Sequence, residues 1–556
     1  MKINFFAGLL LAFLIGAQPV AAQTPATDQH AAFDAICQAL FPADGPGGTV
    51  LVAKGDQILY QKAFGLDDLN ARTPIRTDMV FRIGSVTKQF TAIAILQLVQ
   101  QGKVSLDDEI TRFIPDYPTH GKKITVENLL THTSGIKSYT SMDEWTPEVQ
   151  QKDFTPAALI DFFKDQPMDF DPGTQYAYSN SGYILLGYII EKVSGMPYAD
   201  YLAKKVFKRA GLKHTFYENQ PRPIAGWAQG YMQNEHGYVP APPLSMTQPY
   251  AAGSLASTVE DLYRWTRAVH GGKLVPADLL KKAHTPHILP DGENTHYGYG
   301  WVLGNIWNSP TIEHNGGIHG FLSSLIYMPK EAVCVAVLSN CNCHSPDETA
   351  AQLAAVAAGY PAEMEAVPVD ASTLASYAGV YENDQQAKRI IRTSDDGGLI
   401  SERIGGKITR LTPVGRDKFR FDGSLIAATF LRDDKTGEVT GIILDTRTMS
   451  GERWTKTGAA PPAASAELQL SEEQLQRLVG EYSLAPGFSI TVTREGTHLF
   501  GQGTGQSRFE MFAKSELRFF LKVVSAEIEF FPDEKGAIGK MVLYQGGQAI
   551  PGERVK

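Results

Sequence analysis

Ser85 and Lys88 lie three positions apart in the segment Ser85-Val86-Thr87-Lys88. A serine hydroxyl is a poor nucleophile at neutral pH and needs an adjacent base. Residues i and i+3 share one face of a helix, and burial would lower the pKa of Lys88 and make its neutral amine available. The segment therefore predicts Ser85 as a nucleophile and Lys88 as its base. At a helix N-terminus, the backbone N–H of Ser85 is a candidate donor to a developing oxyanion.

Serine and lysine are common residues, so this pattern is weak by itself. A second copy, Ser134 to Lys137, lies in a Thr-Ser-Gly turn with no helix behind it. The segment from Ser85 to Gln101 instead has apolar residues on more than one side, which is typical of a helix buried in the middle of a domain. The context therefore favours Ser85.

Tyr178-Ser179-Asn180 directly precedes a second predicted helix at 181–193. A tyrosine at this point could shuttle the serine proton, either as a phenolate or through Lys88. Asn180 could orient the lysine and a substrate amide. Two similar Tyr-x-Asn triplets lack the flanking sequence of Tyr178, namely 217–219 and 381–383.

His314-Asn315-Gly316-Gly317 follows a short predicted strand at 311–313. The segment is a candidate for a third part of the site, a strand that carries a cation and whose backbone closely approaches the substrate. Gly316 lets the backbone approach a ligand, and the N–H of Gly317 could be the second oxyanion donor. We therefore expect His314, Asn315 and Gly316 to bind the substrate. Two Lys-Thr-Gly triplets lie outside the first domain and are excluded, at 435–437 and 456–458.

Short apolar runs and turn residues before about position 360 predict one α+β domain. Gly55-Asp56 predicts a hairpin between the extended runs 49–52 and 58–63. Ser257, with Glu260 three residues later, forms a capping box that would begin a third helix. Later runs predict four strands, at 298–304, 311–314, 323–328 and 334–339, and a final helix at 347–358.

Beyond residue 360 the chain contains two segments that resemble each other. Each has a Leu-to-Tyr block, at 374–381 and 475–482, followed by a β-rich block, at 435–444 and 535–543. The shared order of the blocks indicates a duplicated unit. Alternating β-runs and turns predict two small, antiparallel, lipocalin-like barrels. The expected boundaries are a linker at 361–372, a barrel at 373–457, a linker at 458–470 and a barrel at 471–556.

The first 22 residues are typical of a cleavable signal peptide, with Lys2, an apolar run at 5–17 and small residues before Gln23. That run is short for a membrane span, and no later stretch is apolar enough to cross a bilayer. We expect export to the periplasm or beyond, no membrane span after cleavage, and a domain from 23 to 360. An uncleaved anchor is the alternative.

The net charge of −9, without a basic stripe, argues against nucleic-acid binding, which depends on neutralising phosphates. The four cysteines are too few to form a disulfide scaffold in 556 residues, and their pairing stays open. They are Cys37, Cys334, Cys341 and Cys343. The segment 341–344, Cys-Asn-Cys-His, has the look of a metal site, but no second pair matches it. We therefore predict neither a metal nor a cofactor.

Taken together and in this order, the motifs resemble the serine β-lactamase, penicillin-binding-protein and esterase superfamily, nearest its class C and D-alanyl-D-alanine carboxypeptidase branch. The resemblance covers about residues 30–360 and includes the segments 129–136, 252–258 and 299–301. It implies an antiparallel sheet with helices on both faces beside an all-helical lobe. It also implies an acyl-enzyme on Ser85, with Lys88 and Tyr178 as base and acid and the Ser85 and Gly317 amides as the oxyanion hole.

One departure from this pattern bears on the substrate. Class C β-lactamases have Lys-Thr-Gly where this chain has His314-Asn315-Gly316, and histidine there resembles the carboxypeptidases, D-aminopeptidases and some esterases. A catalytic domain followed by two barrels is also similar to D-aminopeptidase. The sequence predicts an exported serine hydrolase that acts on small-molecule or peptide substrates: D-amino-acid peptides, peptidoglycan fragments or small esters. The alternatives are a true β-lactamase and a β-lactam-binding or cell-wall-binding sensor with little turnover.

Overall fold

The structure is a computed structural model. It describes residues 26–218, 226–234, 237–343, 345–384, 386–394, 396–403, 408–447, 451–461, 468–485, 488–504, 508–522, 524, 526–533, 535–545 and 548–555. The predicted signal peptide lies outside these ranges. No helix in the described ranges combines the length and the apolarity that a membrane crossing requires.

The strands of the first domain form a central sheet and several short pairs. They are β1 (Gly48–Lys54), β2 (Gln57–Phe64), β3 (Leu66–Asp68), β4 (Thr73–Pro74), β5 (Phe81–Arg82), β6 (Phe216–Tyr217), β7 (Tyr231–Asn234), β8 (Gly237–Pro240), β9 (Leu255–Ser257), β10 (Val302–Ile306), β11 (Ser309–Ile318), β12 (Phe321–Met328) and β13 (Val333–Ser339). The central sheet is antiparallel, with the order β10-β11-β12-β13-β1-β2. The predicted hairpin at Gly55-Asp56 joins β1 to β2.

Helices cover both faces of this sheet. They are α1 (Ala26–Leu40), α2 (Thr87–Gln100), α3 (Val126–Leu130), α4 (Pro147–Gln150), α5 (Pro156–Phe163), α6 (Asn180–Ser194), α7 (Tyr198–Tyr201), α8 (Lys208–Ala210), α9 (Tyr250–Gly253), α10 (Val259–His270), α11 (Ala277–Ala283) and α12 (Asp347–Ala358). Helices α1 and α12 pack together on one side of the sheet, and α10 packs on β1 and β13. Helix α2 is buried almost throughout, as its apolar pattern predicts, and it contacts α6 and α9 in the helical lobe.

One helix and one strand begin at a different residue from the one predicted from the sequence. The third helix does not begin at Ser257, which belongs to β9; its N-cap is Thr258, whose Oγ1 accepts a hydrogen bond from the Asp261 N–H at 3.2 Å. Both residues are good N-caps, and the pairing of β9 with β5 holds Ser257 in the extended conformation. Strand β10 begins at Val302 rather than at 298, because Gly300 has a φ of 85° and turns the chain.

Two closed eight-stranded antiparallel barrels follow, which confirms the two barrels predicted from the sequence. Barrel 1 contains α13 (Ala371–Tyr377), β14 (Gly379–Glu382), β15 (Lys388–Thr393), β16 (Leu399–Arg403), β17 (Ile408–Gly415), β18 (Lys418–Phe421), β19 (Ala427–Arg432), β20 (Val439–Asp445) and β21 (Glu452–Lys456). Barrel 2 contains α14 (Glu472–Gln476), β22 (Gly480–Ala485), β23 (Phe488–Glu495), β24 (His498–Gly503), β25 (Phe509–Ala513), β26 (Arg518–Leu521), β27 (Ala526–Pro532), β28 (Ile538–Gln545) and β29 (Gln548–Arg554). The matched tyrosines of the repeat donate equivalent hydrogen bonds, since Tyr381 and Tyr482 each donate to the carbonyl oxygen four residues earlier.

Barrel 1 contacts the edge of the central sheet at β10. The Asn305 N–H donates to the Arg447 carbonyl oxygen at 2.7 Å. Just after β10, Trp307 Nε1 donates to the carbonyl oxygen of Pro361, in the segment that leads to barrel 1, at 3.1 Å. Arg447 also reaches β11, where its Nη1 lies 2.6 Å from Glu313 Oε2. The edge strand β10 and its neighbour β11 are therefore both in contact with barrel 1, in β11 one residue away from His314.

Candidate active site

Ser85 lies in a tight turn that leads directly into the buried helix α2. Residues Gly84–Val86 form one 3₁₀ turn, and Gly84 has a φ of 48°, a region that favours glycine. A Cβ at Gly84 would lie 3.0 Å from the backbone nitrogen of Gly317. This close approach brings the Ser85 turn and β11 together at one cleft.

Lys88 is completely buried one turn after Ser85, and its amine makes three contacts. Nζ lies 2.8 Å from Asn180 Oδ1, 2.9 Å from the Ala252 carbonyl oxygen and 3.0 Å from Ser85 Oγ. Burial lowers the pKa of Lys88 well below its ordinary value. The two carbonyl oxygens can only accept, so they engage the two N–H groups of a neutral amine and leave its lone pair for the Ser85 hydroxyl. The arrangement allows Lys88 to take the serine proton.

Asn180 is held in the orientation that this contact needs. Its Nδ2 donates to Thr140 Oγ1 at 3.1 Å, and its backbone N–H donates to Ser138 Oγ at 3.1 Å. Because Thr140 accepts from the amide nitrogen, the amide oxygen is directed to Lys88. The Asn180 amide oxygen is thus held against the Lys88 amine, in the position from which it could orient the lysine.

Tyr178 lies over Lys88 at the cleft wall, and the residue as a whole is 38% exposed. The ring centroid is 4.7 Å from Lys88 Nζ, and the His132 ring packs against the tyrosine ring at 4.2 Å. Desolvation raises the pKa of Tyr178, with the Ser85 hydroxyl acting in the opposite direction. The hydroxyl is therefore protonated at neutral pH, which favours the route through Lys88 over the phenolate route and leaves Tyr178 able to donate a proton.

His314 is buried, and both of its ring nitrogens have partners. Nδ1 lies 2.6 Å from the Asn315 carbonyl oxygen, which can only accept, so Nδ1 carries the proton and Nε2 accepts from the Tyr297 hydroxyl at 2.9 Å. Burial, with Lys88 acting in the same direction, lowers the pKa of His314 to about 3. The sequence pattern predicts a cation on this strand. Burial instead makes His314 neutral, and the neutral ring holds the Asn315 carbonyl oxygen of β11 and the Tyr297 hydroxyl through its two nitrogens.

Gly316 and Gly317 bring the backbone of β11 against the segment that precedes Ser85. A Cβ at Gly316 would lie 2.1 Å from the Ile83 carbonyl oxygen, a contact that no side chain could occupy. Ser323, paired with Gly316 across β11 and β12, donates to that same carbonyl oxygen at 2.9 Å. Ser85 and Gly317 line the same cleft, so the structure places both expected oxyanion donors at its wall.

The cleft has two lobes that meet at Ser85 and Gly317. The lobe toward α12, here called the Asp347 lobe, has a volume of about 380 Å³ and is lined by Tyr178, Asn315 and Asp347 among others. The Trp145 lobe has a volume of about 290 Å³ and is lined by aromatic, apolar and amide side chains. A small acyl group and its leaving group could therefore occupy opposite sides of the Ser85 hydroxyl.

The Cys341 and Cys343 side chains form a disulfide at the end of β13. Cys37 and Cys334 are buried thiols. His344 lies outside the described residues, and within the described part of the chain no group of His, Cys, Asp and Glu side chains is arranged to hold a metal ion. The disulfide accounts for the short Cys-x-Cys spacing.

Comparison with known proteins identifies the family. The Beta-lactamase family matches residues 34–359, more than half of the chain. The chain belongs to this family. A second match, to a domain of unknown function (DUF3471), covers residues 465–554 and therefore barrel 2. The resemblance inferred from the motifs is confirmed.

Individual relatives of this Beta-lactamase family chain extend the likeness beyond the catalytic domain. It is 27% identical to penicillin-binding protein 4* of Bacillus subtilis (strain 168) over 532 residues, 92% of this chain and 95% of that protein. It is similar to the octameric penicillin-binding protein homologue from Pyrococcus abyssi, with a TM-score of 0.55, 27% identity and coverage of 78% of this chain and 100% of that one. It is similar to D-amino acid amidase from Ochrobactrum anthropi SV3, with a TM-score of 0.50, 28% identity and coverage of 56% and 91%. The chain is a serine hydrolase of the penicillin-binding-protein and β-lactamase family.

The structure brings together Ser85, Lys88, Tyr178 and Asn180, and it places Asn315, Gly316 and Gly317 along one wall of the same cleft. Sequence reasoning missed three polar residues of this family member's site: Thr140, Tyr297 and Asp347. Thr140 and Tyr297 act through Asn180 and His314, so no motif marks them. Asp347 begins a helix that was predicted correctly, but its position in the cleft depends on how α12 packs on the sheet.

Proposed function

We propose that this chain hydrolyses D-amino-acid peptides or amides, peptidoglycan fragments or small esters through an acyl-enzyme on Ser85. The observation that supports this most directly is the buried Lys88 amine, 3.0 Å from Ser85 Oγ and with its two N–H groups engaged by carbonyl oxygens. The similarity to a D-amino acid amidase favours D-aminoacyl substrates.

The proposed acylation step begins when Lys88 takes the proton of the Ser85 hydroxyl. Oγ then forms a bond to the substrate carbonyl carbon, and the resulting oxyanion is stabilised by the N–H groups of Ser85 and Gly317. As the bond to the leaving nitrogen or oxygen breaks, Tyr178 donates a proton to it and is reprotonated from Lys88. Water then attacks the acyl-enzyme with the same groups acting in reverse, which releases the acid and restores the Ser85 hydroxyl.

Covalent labelling tests the nucleophile. Treatment of the full chain with a fluorophosphonate is expected to add one phosphonyl group to the peptide that contains Ser85, detected by mass spectrometry. Ser85→Ala should remove the adduct. Ser134→Ala is the matched control from the second Ser-x-x-Lys segment, where the buried Ser134 hydroxyl accepts a hydrogen bond from the Ile136 N–H, and it should label normally.

The outcomes of this experiment separate the alternatives. A folded chain that forms no adduct on Ser85 would contradict the proposed function. Labelling without turnover of D-amino-acid amides, esters or a chromogenic cephalosporin would favour a binding or sensing protein. Turnover of the cephalosporin alone would identify a β-lactamase.

Gly316→Ala is expected to slow the labelling of Ser85 by about 100-fold, because misplacing a reacting group by about 1 Å can cost that much. The new Cβ would overlap the Ile83 carbonyl oxygen, and both partners are backbone, so β11 and the Ser85 turn would have to move apart. The labelling rate measures this effect. Gly539→Ala in β28, where a Cβ meets nothing within 4 Å, is the control, and an unchanged rate for Gly316→Ala would show that β11 does not fix the geometry.

We also propose that the chain is exported, with residues 1–22 removed as a signal peptide. The composition of that segment supports this, and the Cys341–Cys343 disulfide agrees with an oxidising compartment. The N-terminal sequence of the protein recovered from the cell envelope or medium of its host tests the proposal. An intact N-terminus in that material would contradict it.

A further inference from the structure

Asp347 is the residue that gives the cleft its charge. Of the described residues that line the Asp347 lobe, the others are hydroxyl, amide, glycine, proline and apolar residues. In the Trp145 lobe, burial lowers the pKa of His319, so this histidine adds no positive charge at neutral pH. Lys88, at the base of the cleft, is buried with a strongly lowered pKa. In the described part of the cleft, then, a carboxylate faces the substrate and no cation does.

The Asp347 carboxylate is held in place but not fully paired. Oδ2 accepts a hydrogen bond from Asn315 Nδ2 at 3.0 Å, and Ser345 Oγ lies 3.4 Å from the same oxygen. Oδ1 is buried and has no hydrogen-bond partner among the described residues. The Ser345 contact to Oδ2 is long and lies at an exposed position, so a donor from a ligand can replace it at Oδ2 while Asn315 keeps its hydrogen bond.

A nearby arginine forms no hydrogen bond or ion pair with Asp347 among the described residues. Arg447 from barrel 1 lies close enough to Asp347 to interact electrostatically, but its Nη1 donates to Glu313 at 2.6 Å. Asn315, expected from the sequence to contact the substrate, lines the Asp347 lobe and directs its amide nitrogen to Asp347. The described side chains of β11 and α12 that line the Asp347 lobe thus present one carboxylate to it.

We infer that Asp347 determines substrate specificity by pairing with an ammonium group of the substrate, and that the enzyme acts on acyl donors with a free amine close to the scissile carbonyl. This inference rests on the proposed function. D-Aminoacyl amides and peptides with an unblocked amino terminus belong to this class. Substrates with a carboxylate near the scissile bond, which include penicillins and peptides cleaved at their C-terminus, would meet a like charge and bind poorly.

A pair of substrates that differ only in charge tests the inference. D-Phenylalanine amide has a free ammonium group, and N-acetyl-D-phenylalanine amide has none. We expect Asp347→Asn to lower kcat/KM for the free amine by about 10- to 100-fold, the range for a hydrogen bond to a charged group, and to leave the acetylated amide unchanged. Asparagine keeps the shape of the side chain and an oxygen for Asn315, so the fold of the cleft is preserved.

Asp278→Asn is the matched control. It removes the same charge from the first turn of another helix, α11, where Asp278 is exposed and does not line the cleft, so neither substrate should be affected. A merely structural role for Asp347 would instead lower kcat/KM for both substrates together.

Fluorophosphonate labelling of Ser85 in each variant distinguishes a failure of the specificity role of Asp347 from a failure of the proposed function. If the unsubstituted chain labels and Asp347→Asn lowers kcat/KM equally for both amides, the specificity role is overturned and the proposed function stands. If the unsubstituted chain labels but hydrolyses neither amide, the substrate class is overturned. If Ser85 does not label, both the proposed function and this inference are overturned.

Discussion

Lys88→Met is expected to slow the labelling of Ser85 by about 100- to 10,000-fold, the usual contribution of a positioned general base. Methionine is about as long as lysine and apolar, so it fits the buried position in α2 without leaving an unpaired charge. The variant retains Ser85, Tyr178 and the cleft but has no group that can take the serine proton. The rate of phosphonylation measures the loss, and thermal unfolding of the same sample verifies that the chain is folded.

Lys137→Met is the matched control for this variant. Lys137 follows Ser134 at the same spacing as Lys88 follows Ser85, but it lies beyond a turn and outside any helix. Its substitution should not change the labelling rate. A Lys88→Met chain that is folded and labels as fast as the unsubstituted chain would exclude the lysine as the base and transfer that role to Tyr178.

The parts of the fold that could be predicted from the sequence are those set by local patterns. The hairpin at Gly55-Asp56, the buried helix after Ser85 and the helix Asp347–Ala358 each have a hydrophobic period or a turn signal within a few residues. The sequence alone does not decide whether α10 begins at Ser257 or at Thr258, because both residues are able to cap a helix. The choice between them is made by a β-pairing to a distant segment, Phe81–Arg82. Helix α1 is not among the elements predicted from the sequence.

The residues of the candidate site also fall into two groups, those that a local sequence pattern marks and those whose position depends on packing. Ser85 and Lys88 could be paired from sequence because one helical turn brings them together, and the order of the other motifs indicated Tyr178 and Asn180. The neutral state of His314 could not be predicted, since it depends on burial by Tyr297 and neighbouring residues. The position of Asp347 in the cleft likewise depends on the packing of α12 on β12 and β13, and aspartate at the start of a helix is otherwise ordinary.

Arg447→Met is expected to destabilise the catalytic domain by about 3–5 kcal/mol, the usual cost of leaving one member of a buried ion pair without its partner. The side chains of Arg447 and Glu313 are only 16% and 7% exposed, and Nη1 lies 2.6 Å from Oε2. Without the arginine, the Glu313 carboxylate stays buried with Thr311 Oγ1 as a remaining hydrogen-bond donor at 2.9 Å. Urea denaturation of the full chain, followed through the transition of the catalytic domain, measures the change in the free energy of unfolding.

The double variant Glu313→Gln with Arg447→Met shows whether the pair itself is responsible. A neutral glutamine needs no cation, so we expect the double variant to be more stable than Arg447→Met alone. If the two variants were equally destabilised, the loss would come from the packing of the arginine against β10 and not from the ion pair. Because Glu313 directly precedes His314 on β11, the same comparison tests how barrel 1 affects the site. If the unpaired Glu313 carboxylate displaces β11, Ser85 labelling should be slow in Arg447→Met and faster again in the double variant.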